Sequence, residues 1–240
     1  MARRRNRFEE ISEMTVAQRV ELARGKAMVL FERCIELERI HANNRHLIYR
    51  EPLQGTLAQT FAGNAFASLR VANFGFELIR LCALWDPPRA DRISLPEIAA
   101  LIADGAVIQQ LKADFDGWYD GDGDMLRGPW NDRRFKRRLK QALCLTGVVI
   151  RSPRLMSVRA HRDKFLAHNL TISTQHTPKY GYERKLRLTT FMIANALTTV
   201  LEDRGTDYEN TKDICRRHAD ELWDGLNWSM RPIAKDPIRR

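Results

Sequence analysis

The sequence predicts an all-α chain folded as one multi-helix bundle, and three observations carry that expectation. Apolar residues recur at three- and four-residue steps over long stretches, which collects them on one helix face. Capping signatures stand where several of those stretches begin. No segment shows the sustained apolar–polar alternation of a half-buried strand.

At 240 residues, 44% of them hydrophobic, the chain can bury one substantial core. A flexible basic arm is expected over residues 1–13, one helical domain over 14–230 and a short basic tail over 231–240. The first strong helix opens at Thr15, with Gln18 placed to complete a capping box. Behind it Val16, Val20, Ala23, Ala27, Phe31, Cys34 and Leu37 form an apolar face running to about residue 43. A second stripe, Phe61, Ala65, Leu69, Ala72, Phe76, Ile79 and Ala83, stops where Asp86-Pro87-Pro88 forbids further helix. Ser94 to Glu97 reads as another capping box, and residues 106–117 as a further helix. The run Asp120-Gly-Asp-Gly-Asp124-Met125 fails as a calcium loop, because its sixth position is Met125 and its twelfth is Asn131.

Asn131 is placed to cap a strongly basic helix, and Ser152-Pro153 starts the next, which should end near Asn169. After a loop over 170–182, helices are expected at 187–203 and 208–228. The last aligns Ile214, His218, Leu222 and Leu226, with His218 expected in the core. Cys34, Cys82, Cys144 and Cys215 are far apart and read as reduced, packed thiols. No run of 18 apolar residues is present, and the basic start leads into Phe8-Glu9-Glu10 rather than an apolar signal core. A cytoplasmic protein without a membrane span is the expectation.

The net charge is +10, and it is unevenly spread. Between Met125 and Thr190, sixteen Lys and Arg face only Asp132, Asp163 and Glu183. Such a concentration makes a local field that draws a phosphate backbone. Arg133, Arg134 and Arg137 in the basic helix, with Arg159 and Lys164 beyond it, are the candidate RNA contacts. Trp130, Phe135, Tyr180 and Tyr182 lie nearby as potential base-stacking rings or core residues.

Within this window stands Arg159-Ala-His161-Arg162-Asp163-Lys164-Phe165-Leu166-Ala167-His168-Asn169. Arg162 and His168, with five residues between them, resemble the R-x4–6-H signature of HEPN-domain ribonucleases. Arg39 to His46 and Arg154 to His161 satisfy the bare spacing too. Only the stretch from Arg162 to Asn169 carries the longer Arg-Asp-Lys-x-x-Ala-His-Asn context, which resembles the AbiU-type abortive-infection branch. The resemblance implies a dimerising helical bundle that cuts RNA without metal or other cofactor. It also implies phage defence or a toxin–antitoxin pair, with a neutralising antitoxin protein as partner.

That chemistry suits the two residues. A base must take the ribose 2′-hydroxyl proton, an acid must protonate the departing 5′-oxygen, and a cation must steady the phosphoryl charge. Histidine titrates near neutrality and serves as base or acid. Arginine stays charged and offers a planar fork of donors to phosphate oxygens. Asp163, Asn169 and His161 are the supporting candidates. Six residues turn an ideal helix through about 600°, leaving Arg162 and His168 about 120° apart. A loosened helix or a composite site across a homodimer resolves the mismatch. A non-catalytic RNA-binding or protein-interaction module is the alternative. His161, His168 and His176 lack metal-ligand spacing, and no compact helix-turn-helix supports DNA binding.

Overall fold

The computed structural model describes residues 6–49, 57, 62–118, 127–163 and 182–225, and among these every regular element is helical. The first departure from expectation comes at once, since residues 7–13 are not arm but helix α1 (Arg7–Glu13). Asn6 and Glu9 close a capping box, Ile11 enters the core, and Arg7 donates to the buried Glu97 at 2.6 Å.

α2 (Val16–Tyr49) is the pillar of the bundle and runs six residues beyond its expected end. Its box forms as predicted: the Gln18 amide N–H donates to Thr15 Oγ1 at 3.2 Å, and the Thr15 N–H donates to Gln18 Oε1 at 2.9 Å. Val20, Ala23, Ala27, Leu30, Cys34 and Leu37 line its buried face.

α3 (Gly63–Ala83) reverses its predicted polarity. Its core side is built from Gly75, Glu77, Leu78, Leu81 and Cys82, while Leu69, Phe76 and Ile79 of the expected core stripe are 45%, 47% and 43% exposed. The reason is Glu77, a fully buried carboxylate that accepts from Asn44 Nδ2 at 2.6 Å and lies 2.9 Å from His41 Nδ1. A charged residue on the inner face disguised that face as solvent-facing.

α4 (Leu95–Ile102) starts at Ser94, whose hydroxyl accepts from the Glu97 amide at 3.4 Å. The expected reciprocal half of the box is missing, because the Glu97 side chain turns to Arg7 and to Lys26 at 3.4 Å. α5 (Gly105–Gly117) is capped by Asp104. α6 (Arg127–Ile150) begins before Asn131, so that residue is buried inside the helix instead of capping it. α7 (Pro153–His161) is capped by Ser152, which accepts from the Leu155 amide at 3.2 Å.

α8 (Tyr182–Glu202) begins earlier than predicted and buries Ile193, Ala194, Ala196, Leu197, Val200 and Leu201. It touches α2, α3, α4, α5, α6 and α7, whereas α9 (Tyr208–Gly225) rests chiefly on α2. On α9 the core contacts are Cys215 and Ala219, with Trp223 half-buried; Ile214, His218 and Leu222 face solvent, against expectation. Trp85 ties the end of α3 to α8 by donating from Nε1 to Thr190 Oγ1 at 2.8 Å. No helix of the described residues is long and apolar enough to cross a membrane.

Three cysteines are packed as expected and Cys144 is exposed. Burial pushes the Cys82 thiol up to about 11 and raises those of Cys34 and Cys215. A thiol reagent should therefore modify one cysteine quickly in the native protein and four in denaturant. Mass mapping should place the fast adduct on Cys144; rapid modification of Cys82 would contradict the closed packing beneath Arg162.

Candidate active site

The candidate site is built where the ends of α3 and α7 meet. α7 closes on Arg162, whose backbone N–H donates to the Arg159 and Val158 carbonyls, and the chain widens into a π-type turn over Arg162 and Asp163. Such turns interrupt regular helix and recur at functional sites. The widened turn begins at Arg162 itself; the loosening near His168 that the sequence offers as one way to bring the two side chains together lies outside the described residues.

Arg162 is held rather than loose. Its Nε donates to Asp163 Oδ1 at 2.7 Å and its Nη1 to Asp86 Oδ1 at 3.3 Å, with the side chain 23% exposed. Burial opposes its charge, but the two carboxylates outweigh that and raise its pKa further. The other oxygen of Asp86 lies 3.5 Å from Arg92 Nη1, so one carboxylate joins two arginines. Arg159 donates from Nη2 to the carbonyl of Trp85, just beyond the end of α3. Beneath these cations lies the protonated thiol of Cys82. His161 is half-buried, and that burial lowers its pKa from 6.5, which keeps the ring neutral at pH 7.

Sequence reasoning singled out Arg162, Asp163, His161 and Arg159, and the structure brings these together at one corner. His168, Asn169 and Lys164 lie outside the described residues. Asp86 and Arg92 were missed: Asp86 stood only as part of a helix stop, and nothing in its spacing links it to a residue 76 positions later.

The proposed RNA contacts divide. Arg133 and Arg137 are exposed on α6, alongside Lys136 and Lys140. Arg134 instead closes a salt bridge of 3.2 Å with Asp203 and lies 5.8 Å from the Phe115 ring centre. Its role is to fasten α6 to the end of α8. Arg159 is likewise committed to the Trp85 carbonyl. At the far end of α6, Arg154 sits over the Tyr182 ring at 5.9 Å, while Arg151, Arg184 and Lys185 are exposed. Among the described residues, the exposed cations of the basic window thus lie on α6, on the turn after it and on the starts of α7 and α8.

A second polar cluster is interior. Arg187 donates to Glu38 and approaches Glu77, which also holds His41 and Asn44. It faces the core rather than a cleft, and we read it as structural. No group of three metal-ligating side chains occurs among the described residues. Comparison with protein-family models, with curated proteins and with solved structures returns no match for this chain.

Proposed function

We propose that the chain is a metal-independent endoribonuclease of HEPN type, a cytoplasmic toxin or phage-defence effector that needs no cofactor. The observation that best supports this reading is the placement of Arg162. It is pinned by Asp86 and Asp163 at a widened last turn of α7, within the most basic part of the chain. A cation fixed in advance loses little entropy on meeting a phosphate, and its value lies in stabilising charge that develops in the transition state.

In this mechanism His168 takes the 2′-hydroxyl proton as the 2′-oxygen attacks phosphorus. Arg162 steadies the extra negative charge. The 5′-oxygen leaves with a proton supplied by the partner's His168 in a homodimer, or by the same residue once protonated. The products are a 2′,3′-cyclic phosphate and a 5′-hydroxyl. Asn169 contacts ribose or phosphate, and neutral His161 and Asp163 orient the reacting groups. Arg133 and Arg137 lead the strand in, and Lys164 adds a cation beside the cut. A neutralising antitoxin protein completes the system.

The test is cleavage of a mixed RNA substrate in EDTA by wild type, Arg162→Ala and His168→Ala, with analysis of the product ends. Loss of one electrostatic donor costs about 10²–10³-fold in rate, so each variant should fall by at least that much. Chelator-resistant cutting that leaves cyclic phosphates and vanishes in both variants is the expected result. Variants that cut as well as wild type would sink the assignment.

One observation favours a different reading, a non-catalytic RNA-binding or protein-interaction module. Two carboxylates already occupy the Arg162 guanidinium, as in a purely structural clip between α3 and α7. On that reading wild type binds RNA without cutting it, and Arg162→Ala loses stability instead of rate.

A further inference from the structure

Arg92 differs from the arginines that fasten one helix to another. Arg7, Arg19 and Arg24 spend their guanidinium donors on carboxylates or carbonyls. The Arg92 guanidinium makes no hydrogen bond among the described residues, and its ion pair with Asp86, Nη1 to Oδ2, is long at 3.5 Å. Five N–H donors are therefore unspent on a side chain that is only 32% exposed. A guanidinium so placed is partly stripped of water and only loosely paired.

Its position is fixed from inside the bundle. Pro87 and Pro88 stiffen the chain as it leaves α3. The turn that follows is closed by the Arg92 N–H, which donates to the Arg89 carbonyl at 3.0 Å. Lys26, 7% exposed, grips that turn by donating to the Ala90 and Arg92 carbonyls at 2.9 and 2.5 Å. The Leu95 N–H then donates to the Leu84 carbonyl at 2.8 Å and ties the segment back to the end of α3. A buried lysine, itself paired with Glu97, is thus committed to placing one surface turn. Arg92 is presented on it as a group set in place beforehand.

We propose that Arg92 is a second phosphate-binding residue of the candidate site, and that it holds an RNA phosphate jointly with Arg162. Asp86 is the link between them. Its Oδ1 accepts from Nη1 of Arg162 at 3.3 Å and its Oδ2 lies 3.5 Å from Nη1 of Arg92, so one carboxylate braces both guanidiniums. On each of them Nη2 makes no hydrogen bond among the described residues, and each fork keeps an open edge. Phosphate oxygens accept from a guanidinium fork in the same planar, two-pronged way as a carboxylate does.

The charges at this corner are also unbalanced in favour of an anion. Arg92, Arg159 and Arg162 stand against Asp86 and Asp163, and Arg159 donates to a neutral carbonyl. A phosphodiester carries the single negative charge that balances them. The inference rests on the nuclease reading for RNA as the bearer of the phosphate. The braced pair of guanidiniums rests on geometry alone and would stand if the protein cut no RNA.

The experiment measures binding of a fluorescent 2′-O-methyl oligoribonucleotide, which cannot undergo 2′-oxygen attack, by anisotropy over a salt series on the full chain. Wild type is compared with Arg92→Ala and, as control, Arg89→Ala. The control removes one cation from the same turn, but Arg89 pairs with Asp91 instead of Asp86. Arg92→Ala should weaken binding about tenfold, the effect of losing a charged hydrogen-bonded contact. It should also lower the slope of log affinity against log salt by about one, as loss of a phosphate contact does. Arg89→Ala should change affinity less than about twofold. Circular dichroism checks folding, and Arg92→Gln, which keeps most of the side chain, repeats the test if alanine unsettles the turn. A wild type that does not bind, equal effects of the Arg92 and Arg89 replacements, or a slope unchanged in the Arg92 variants overturns the proposal. RNA cleavage, assayed separately, keeps the two ideas apart: Arg92-dependent binding without cutting removes the nuclease and leaves the paired guanidiniums. Cutting by Arg92→Ala at the wild-type rate, with binding unchanged, does the reverse.

Discussion

Replacing Arg187 with alanine should lower the unfolding free energy by about 3–5 kcal/mol, the usual cost of breaking a buried ion pair from one side. Arg187 is 4% exposed, donates to Glu38, and has Tyr208 Oη at 3.4 Å and Glu77 at 4.0 Å. Without it two carboxylates remain in the interior, with only the histidine and asparagine on Glu77 to offset them. Burial already raises the Glu38 pKa despite Arg187, and removing the cation raises it further. The sign follows from linkage. An acid whose folded pKa is raised contributes stability below its unfolded value, and that contribution is lost as pH rises through the folded value. The deficit of the Arg187→Ala variant should accordingly shrink on acidification, as Glu38 takes up a proton. Urea denaturation at several pH values reads both quantities. A deficit below about 1 kcal/mol, the range of exposed pairs, would mean that water reaches the cluster. An apolar double replacement, Arg187→Met with Glu38→Leu, should cost less than Arg187→Ala alone, because no charge is stranded at that position.

Glu97→Ala should be of similar size, about 3 kcal/mol or more, and larger than Arg7→Ala. The asymmetry comes from geometry. Glu97 is fully buried and serves both Arg7 at 2.6 Å and Lys26 at 3.4 Å, so its loss strands two cations. Lys26 keeps the Ala90 and Arg92 carbonyls at 2.9 and 2.5 Å, whereas Arg7 keeps only the half-exposed Glu10. Loss of Arg7 instead leaves Glu97 with Lys26, a milder defect. α1 has no other buried anchor than Ile11, so Glu97→Ala should also open residues 7–13 to proteolysis. Equal losses in the two variants would show that the Arg7 pair accounts for the whole effect and that Lys26 adds nothing.

Both clusters mark where reading the sequence stops. Apolar period locates helices well: the Thr15 box, the Ser152 cap and the Asp86-Pro87-Pro88 stop all stand where the residues place them. It assigns faces only when the inner face is apolar. On α2 the rule holds, since Ala23, Ala27, Leu30 and Leu37 are buried together. On α3 it fails, because Glu77 is satisfied by α2 residues more than thirty positions away and the apolar stripe is left outside. α9 repeats the failure on a smaller scale. Its inner face is made of small Cys215 and Ala219 with Asp220, which reaches His46 at 2.8 Å, while Ile214 and Leu222 point outward. At the candidate site a local motif yields Arg162, Asp163 and His161. The orientation of Arg162 depends on Asp86, a contact between chain segments that no local spacing encodes.

The uneven embedding of the last two helices has a consequence for how the molecule breathes. α8 is wedged among α2 to α7, so its amides should exchange with solvent only when the whole bundle opens. α9 leans chiefly on α2 through His46, Asn43 and a small apolar contact around Cys215, Ala219 and Trp223. Its residues beyond Tyr208, which itself packs on Phe191 and meets Arg187, can lift away at a fraction of the global cost. Deuterium should accordingly enter α9 well before α8, although the two adjoin in sequence.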